Sequence, residues 1–281
     1  MAALEAERRK NERLYKKALM RCAGEIDRLV AGIKDPEEII SAVRKYAESR
    51  EFMELAERAV SRMITAAGSA EKSTWRQAAL ASTKGKLIFS ALRDDVHNTA
   101  LGAAINEIIA NNSTLIKTVP KDIALRLSSY AARMQMKGAR PEEIAKEMQE
   151  KAPQLAAYQV RRIARTESAK AASALIQARC EQLACDWYFW HTCEDERVRT
   201  SHGKMEGVLC RWSDPPNPEA LFPMKGVRAH GPYHPGGIFN CRCIALPVIG
   251  PEDITFPCKV HVHGKIVTIG SLKEFNRLSA A

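Results

Sequence analysis

Helix-breaking residues are spread so unevenly along this 281-residue chain that they divide it into two kinds of polypeptide. Residues 1–184 hold only six glycines and four prolines. Residues 201–250 alone hold seven of the 15 glycines and seven of the 13 prolines. Stretches poor in both propagate helices, whereas dense Gly and Pro enforce turns. The expected fold class is therefore α+β: a largely helical N-terminal region, then a small, loop-rich α+β domain with short strands. The texture changes near residue 180, and the long helix before it leads into the loop-rich part. This reading divides the chain into a helical region over 1–150 and a C-terminal domain over 151–281.

Local signals fill in the elements. Leu14, Ala18, Cys22, Ile26, Val30 and Ile33 form an apolar stripe on a first, highly charged helix. Asp35-Pro36 followed by two glutamates opens a second helix, with a cap, a proline at the first position and acids in the first turn. Lys121-Asp122 after Pro120 opens another, closed by Gly138 as a left-handed cap. Arg140-Pro141-Glu142-Glu143 starts the next, and a long helix is expected from about Gln154 to Leu183. Asp186 to His191 is aromatic and strand-like. Residues 260–269 alternate around Gly264 as a short hairpin, and Ser271 with Glu274 marks a capping box for a last helix.

Charge follows the same division. The formal net charge is +10, and residues 181–281 contribute nothing to it, with eleven basic and eleven acidic side chains. A basic helical surface can lie along phosphates by counterion release without reading sequence. Arg161 and Arg162, which cluster with Arg165, are the DNA-contact candidates. The charged opening of the chain lacks the apolar core of a secretory signal. No apolar run reaches the roughly 18 to 20 residues of a membrane-spanning helix. The expectation is a soluble chain made in a cytoplasm, with its thiols reduced and no membrane partner.

Soft ligands concentrate in the other half. Seven of the eight cysteines and six of the seven histidines lie between Cys180 and His263. A loop-rich domain of about this size buries too little apolar area to be stable without a staple, and in a reducing compartment that staple is metal. Asn240-Cys241-Arg242-Cys243 places two thiols within reach of one Zn²⁺ if the backbone bends. His202, Cys193 or His234 could complete a tetrahedral structural site. Cys22, Cys180 and Cys185 read instead as small apolar filler. His261 and His263 alternate on a strand and read as solvent-facing.

The segment from Asp195 to His202 reads as a tightly bonded polar turn, in which Asp195 with Arg197 and Arg199 can make charge-assisted bonds. The competing reading is a zinc-dependent hydrolase or toxin-like effector, with Glu194, Asp195 or Glu196 as general base. No H-E-x-x-H, Gly-rich phosphate loop or G-x-S-x-G elbow supports it. The expectation is a chain that is not an enzyme.

The ordered set of motifs resembles a known family. Gly138-Ala-Arg-Pro-Glu-Glu leads into a helix bearing Arg165-Thr166-Glu167. An aromatic strand ends at Trp190, followed by Asp195-Glu-Arg197-Val-Arg199, His202, Gly207 and Asn240-Cys241-Arg-Cys243. Over about residues 120–248 this is similar to the Mu protein F-like family of phage head-morphogenesis, or minor head, proteins. The resemblance implies a minor capsid protein that binds the phage portal protein during procapsid assembly. It also implies packaging inside the head near the portal vertex, with scaffold or major capsid protein as further partners. Non-specific contact with double-stranded DNA and a role in genome packaging or ejection are implied in the same way. Metal binding at the Cys and His residues is implied too. Many relatives carry Cys-x-x-Cys where this chain has Arg199-Thr-Ser-His202. Only His202 of that pair can bind metal here, which leaves Cys193 or His234 to supply the fourth ligand.

Overall fold

The computed structural model describes residues 2–93 and 99–280. The chain is mostly helical, with a small five-stranded mixed sheet near its C-terminus, as the distribution of glycine and proline predicts. It divides into two compact units: residues 9–66 with 106–168, and residues 1–8 with 67–105 and 169–281. No helix among the described residues is long and apolar enough to cross a membrane.

Long helices precede the sheet. α1 spans Ala2–Val30, α2 Pro36–Ala47, α3 Arg50–Ala81, α4 Gly85–Arg93, α5 Thr99–Met136 and α6 Pro141–Gln182. All but α4 contribute to the first unit, which is built from helices alone. The Asp35 carboxylate accepts a hydrogen bond from the Glu37 amide, so α2 begins at the residue that the sequence marks as its cap. The buried stripe of α1 runs through Asn11, Tyr15, Leu19, Cys22, Ile26 and Val30, not through Leu14, which is exposed. A strict four-residue spacing drifts about 40° per step around a helix. The three-residue step from Leu19 to Cys22 keeps the real stripe on one face. Tyr15 donates to the buried Asn112 carbonyl oxygen at 2.9 Å, tying α1 to α5.

Two expected helix boundaries do not exist. Pro120 lies inside α5 and Pro153 inside α6, each a single uninterrupted helix. A proline removes one backbone bond and strains the preceding turn. Here buried Ile116, Val119, Ile123 and Leu127 hold α5 to its core on both sides of Pro120. Gly138 does end α5, at φ +79°, with the Ala139 amide returning to the Met134 carbonyl.

The second unit carries the sheet. β1 is Trp187–His191, β2 Leu209–Arg211, β3 Ile244–Pro247, β4 Cys258–Val262 and β5 Lys265–Ile269, in the order β3-β1-β2-β4-β5. All pairings are antiparallel except β2 with β4. The short helices α7 (Thr200–Gly203) and α8 (Pro218–Leu221) interrupt the Gly- and Pro-rich stretch, and α9 (Leu272–Ala280) follows the last strand. Within that stretch β2 and β3 are strands that glycine and proline density conceals. The turn between β4 and β5 is His263-Gly264, both at positive φ, as a two-residue hairpin with right-twisted strands requires.

β1 is covered on both faces, which is why it is aromatic throughout. Tyr188 and Trp190 enter one cluster with Met205, Cys210, Cys241 and Cys243. Trp187 points to the other face, packing with Leu209, Val260 and Phe275 of α9. The same coverage corrects the reading of His261. β4 is an interior strand, and His261 is buried on the face opposite Val260, with Asp214 3.5 Å away; only His263 is exposed.

Candidate metal centre

Three segments distant in sequence converge on one point. α7 begins at Thr200 and places His202 inward, nearly fully buried. Asn240, at φ +55°, turns the chain so that Cys241 and Cys243 both enter the buried cluster. His202 Nδ1 lies 3.6 Å from Cys241 Sγ and 3.4 Å from Cys243 Sγ. The three donor atoms all fall within 4.8 Å of one another.

This donor set fits a soft, tetrahedral divalent cation such as Zn²⁺. With Zn–S near 2.3 Å and Zn–N near 2.0–2.1 Å, an imidazole nitrogen and a thiolate on one tetrahedral ion lie about 3.6 Å apart. The observed separations match that value. The imidazole is also oriented from behind. Its Nε2 lies 2.8 Å from the Tyr233 hydroxyl and 3.5 Å from Glu219 Oε1, and Tyr233 is itself within hydrogen-bond reach of both Glu219 carboxylate oxygens. A histidine whose second nitrogen is held by a polar chain ending in a carboxylate has its ring plane and tautomer set for ligation. The Gly236 amide points at Cys241 Sγ, 3.4 Å away. Position 236 demands glycine, because φ is +82° and a Cβ would come within 3.1 Å of the Ala169 carbonyl.

The electrostatics agree. The Cys241 thiol is held well below its ordinary pKa, chiefly by a hydrogen bond from Cys243 and then by His202. Cys243 is pushed up by the same bond and by burial. The shared hydrogen bond favours the thiolate on Cys241 and the protonated form on Cys243. A bound cation would displace protons from both thiols.

The other candidates occupy distinct positions. Cys193 lines a cavity of about 110 Å³ beside the three donors, together with Arg197, Arg199 and Arg242, and burial raises its pKa. His234 lies outside the three-donor group; its Nδ1 is 3.1 Å from the Tyr188 hydroxyl, and burial lowers its pKa to about 4. Asp195 receives a bidentate bond from Arg242, at 2.5 and 2.6 Å, which holds its carboxyl below the usual range. One of its oxygens also accepts from the Arg197 amide, while Arg199 bonds the Phe239 carbonyl and lies over that ring. Arg242, between the two cysteines, thereby anchors the polar turn to the donor segment. Arg165, Thr166 and Glu167 lie on α6 in the all-helical unit, where Arg165 meets Glu12 at 3.5 Å. Arg161 and Arg162 are exposed on the same helix.

Sequence reasoning does not reach Glu219, Tyr233, Gly236 or Arg8, whose guanidinium donates to the carbonyls of Cys243 and Ala169. Only the Gly236-Gly237 pair ahead of the cysteines carries a local signal. A further group, His191 with Glu194 and Glu206, sits nearer the surface. Glu206 there is closed by His191 and by the Thr192 amide and hydroxyl, as an ionic brace on the end of β1.

A small sheet domain closed around a buried His-Cys-Cys cluster defines the class. Residues 128–246, which contain that cluster and the helix leading to it, match the family described as Phage Mu protein F like protein. The resemblance drawn from the ordered motifs holds over this segment. A protein of Haemophilus influenzae, named only "Uncharacterized protein", is 28% identical over 152 residues. That alignment covers 53% of this chain and 30% of the relative, so the chain spans under a third of that protein's length. No solved structure matches the chain.

Proposed function

We propose that this chain is a phage minor capsid protein that binds the portal vertex during procapsid assembly and is packaged inside the head. The observation that carries this reading is the family match over residues 128–246. Residues 151–281 act as the motif-bearing domain, closed by one structural zinc on His202, Cys241 and Cys243, with Cys193 beside them as the fourth donor. The helical residues 1–150 make contacts with portal, scaffold or major capsid protein. Exposed Arg161 and Arg162 add non-specific contact with double-stranded DNA, and the protein aids packaging or ejection of the genome rather than catalysing a reaction. The donor geometry supports the metal, and the buried, packed setting of the three ligands supports a structural role for it.

Co-expression with the portal protein of the same phage tests the assembly role. The two proteins are expected to co-purify, and the chain is expected in purified heads at low copy. Its absence from heads, with no portal association, would overturn the proposal. Metal analysis of the reduced, unchelated protein should give about one zinc per chain; finding none removes the staple.

A further inference from the structure

The segment that carries Cys241 and Cys243 is braced by a residue near the start of the chain. Arg8, in the first turns of α1, is partly buried within the sheet-bearing unit, to which residues 1–8 belong. Its Nη1 donates to the Cys243 carbonyl at 3.3 Å, and its Nη2 donates to the Ala169 carbonyl of α6 at 3.3 Å. One guanidinium fork thus joins a long helix to the segment bearing two of the metal donors. The planar fork suits two acceptors held at a fixed separation, which the point charge of a lysine does not bridge in the same way.

The surroundings tie Arg8 to the metal centre in particular. At Gly236 an added Cβ would lie 3.5 Å from Arg8 Nη2, 3.4 Å from the Cys243 carbonyl and 3.1 Å from the Ala169 carbonyl, so the missing side chain leaves room for the fork. Gly236 in turn directs its amide at Cys241 Sγ. Each cysteine of the pair is therefore met from outside by an N–H donor, Cys241 at its sulfur and Cys243 at its carbonyl. The negative charges that act on the Arg8 guanidinium are those of Cys241, Cys243, Glu5 and Cys193. Glu5, three residues before Arg8 and on the same face of α1, lies 3.5 Å from His191 Nε2 at the end of β1. The first turns of the helix are thus fixed at two points.

We infer that Arg8 is a positioning residue of the metal centre, which fixes the Cys243 arm of the donor segment and supplies positive charge beside the thiolates. This role rests on the metal proposed at His202, Cys241 and Cys243. With Cys193 as the fourth donor, a dication held by three thiolates and a neutral imidazole carries one net negative charge. A guanidinium keeps its proton and offsets that charge, and in a partly buried setting the attraction is screened less than in water. Residues 151–281 by themselves therefore do not complete the centre.

The test uses the full chain, with Zn²⁺ affinity measured by competition against a chromogenic chelator and Co²⁺ as the spectroscopic probe of the ligand set. Arg8→Ala should weaken Zn²⁺ binding about tenfold to a hundredfold, as loss of a group that supports a metal ligand does. It should also shift the thiolate-to-cobalt charge-transfer band, because the Cys243 arm is no longer held. Arg8→Lys keeps the charge without the fork and should recover part of the affinity. Arg13→Ala, which removes an exposed cation from the same helix, should match the wild type in both measurements. Wild-type affinity and spectrum in Arg8→Ala overturn the role of Arg8 and leave the metal reading intact. So does a loss equalled by Arg13→Ala, because net charge and not position is then at work, and so does a loss that persists in full in Arg8→Lys. A wild type that binds neither ion removes the metal centre itself, and the role of Arg8 with it.

Discussion

His202 shows how one side chain is committed to a role by groups on both of its edges. Nδ1 faces two sulfurs, and Nε2 faces a hydroxyl–carboxylate pair. Tyr233→Phe keeps the ring packing but removes the group that orients the imidazole. It is expected to weaken metal binding about tenfold to a hundredfold, as partners standing behind a metal ligand typically do. Competition with a chromogenic chelator measures the change, and unaltered affinity would free Tyr233 of that role. His234 gives a pH prediction of opposite character. The unfolded chain takes up a proton near pH 6.5, whereas burial delays protonation of the folded chain to about pH 4. Acid therefore favours the unfolded state between those values, so stability falls from about pH 6.5 to about pH 4 and then levels. His234→Gln should flatten that part of the curve in urea unfolding of metal-free protein.

At the scale of elements, the long helices depend on buried polar clamps as well as on propensity. Arg179, completely buried on α6, meets Glu71 of α3 at 2.8 Å, the Ala91 carbonyl of α4 at 3.2 Å and Gln182 at 2.7 Å. One guanidinium thus joins three helices in the sheet-bearing unit. Arg179→Ala removes the buried cation facing the Glu71 carboxylate and should cost about 3–5 kcal/mol. A second change, Glu71→Gln, should recover part of the loss, and denaturant midpoints of the single and double variants decide this. Legibility in the sequence depends on range at this scale. The starts of α2 and α6 and the β4–β5 hairpin are set by residues a few positions apart, so Asp35-Pro36, Arg140-Pro141 and Gly264 announce them. The continuity of α5 through Pro120 and of α6 through Pro153 is decided by distant core partners, which local breaker rules do not see.

At the scale of the molecule, the chain passes repeatedly between its two units, with α1, α3, α5 and α6 each contributing to both. The proposed metal belongs to one unit alone. Replacing Cys241 and Cys243 by Ser should therefore loosen the sheet region, with loss of the near-ultraviolet signal from Trp187, Trp190 and Trp212. The far-ultraviolet signal, dominated by the helices, should persist. Unchanged near-ultraviolet spectra and melting would show that the cysteine pair is not a staple.

By itself the sequence determined the helical front, the irregular back, the aromatic strand β1 and the candidate donors His202, Cys241 and Cys243. Each of these rests on composition or on periodicity within a few turns, which local steric and hydrophobic rules translate directly into structure. Only the tertiary structure decided that those three donors meet, that Tyr233 and Glu219 stand behind His202, and that His261 is buried. Such outcomes depend on contacts between residues tens of positions apart, where the chain's path, not its local pattern, sets which side chains share a site.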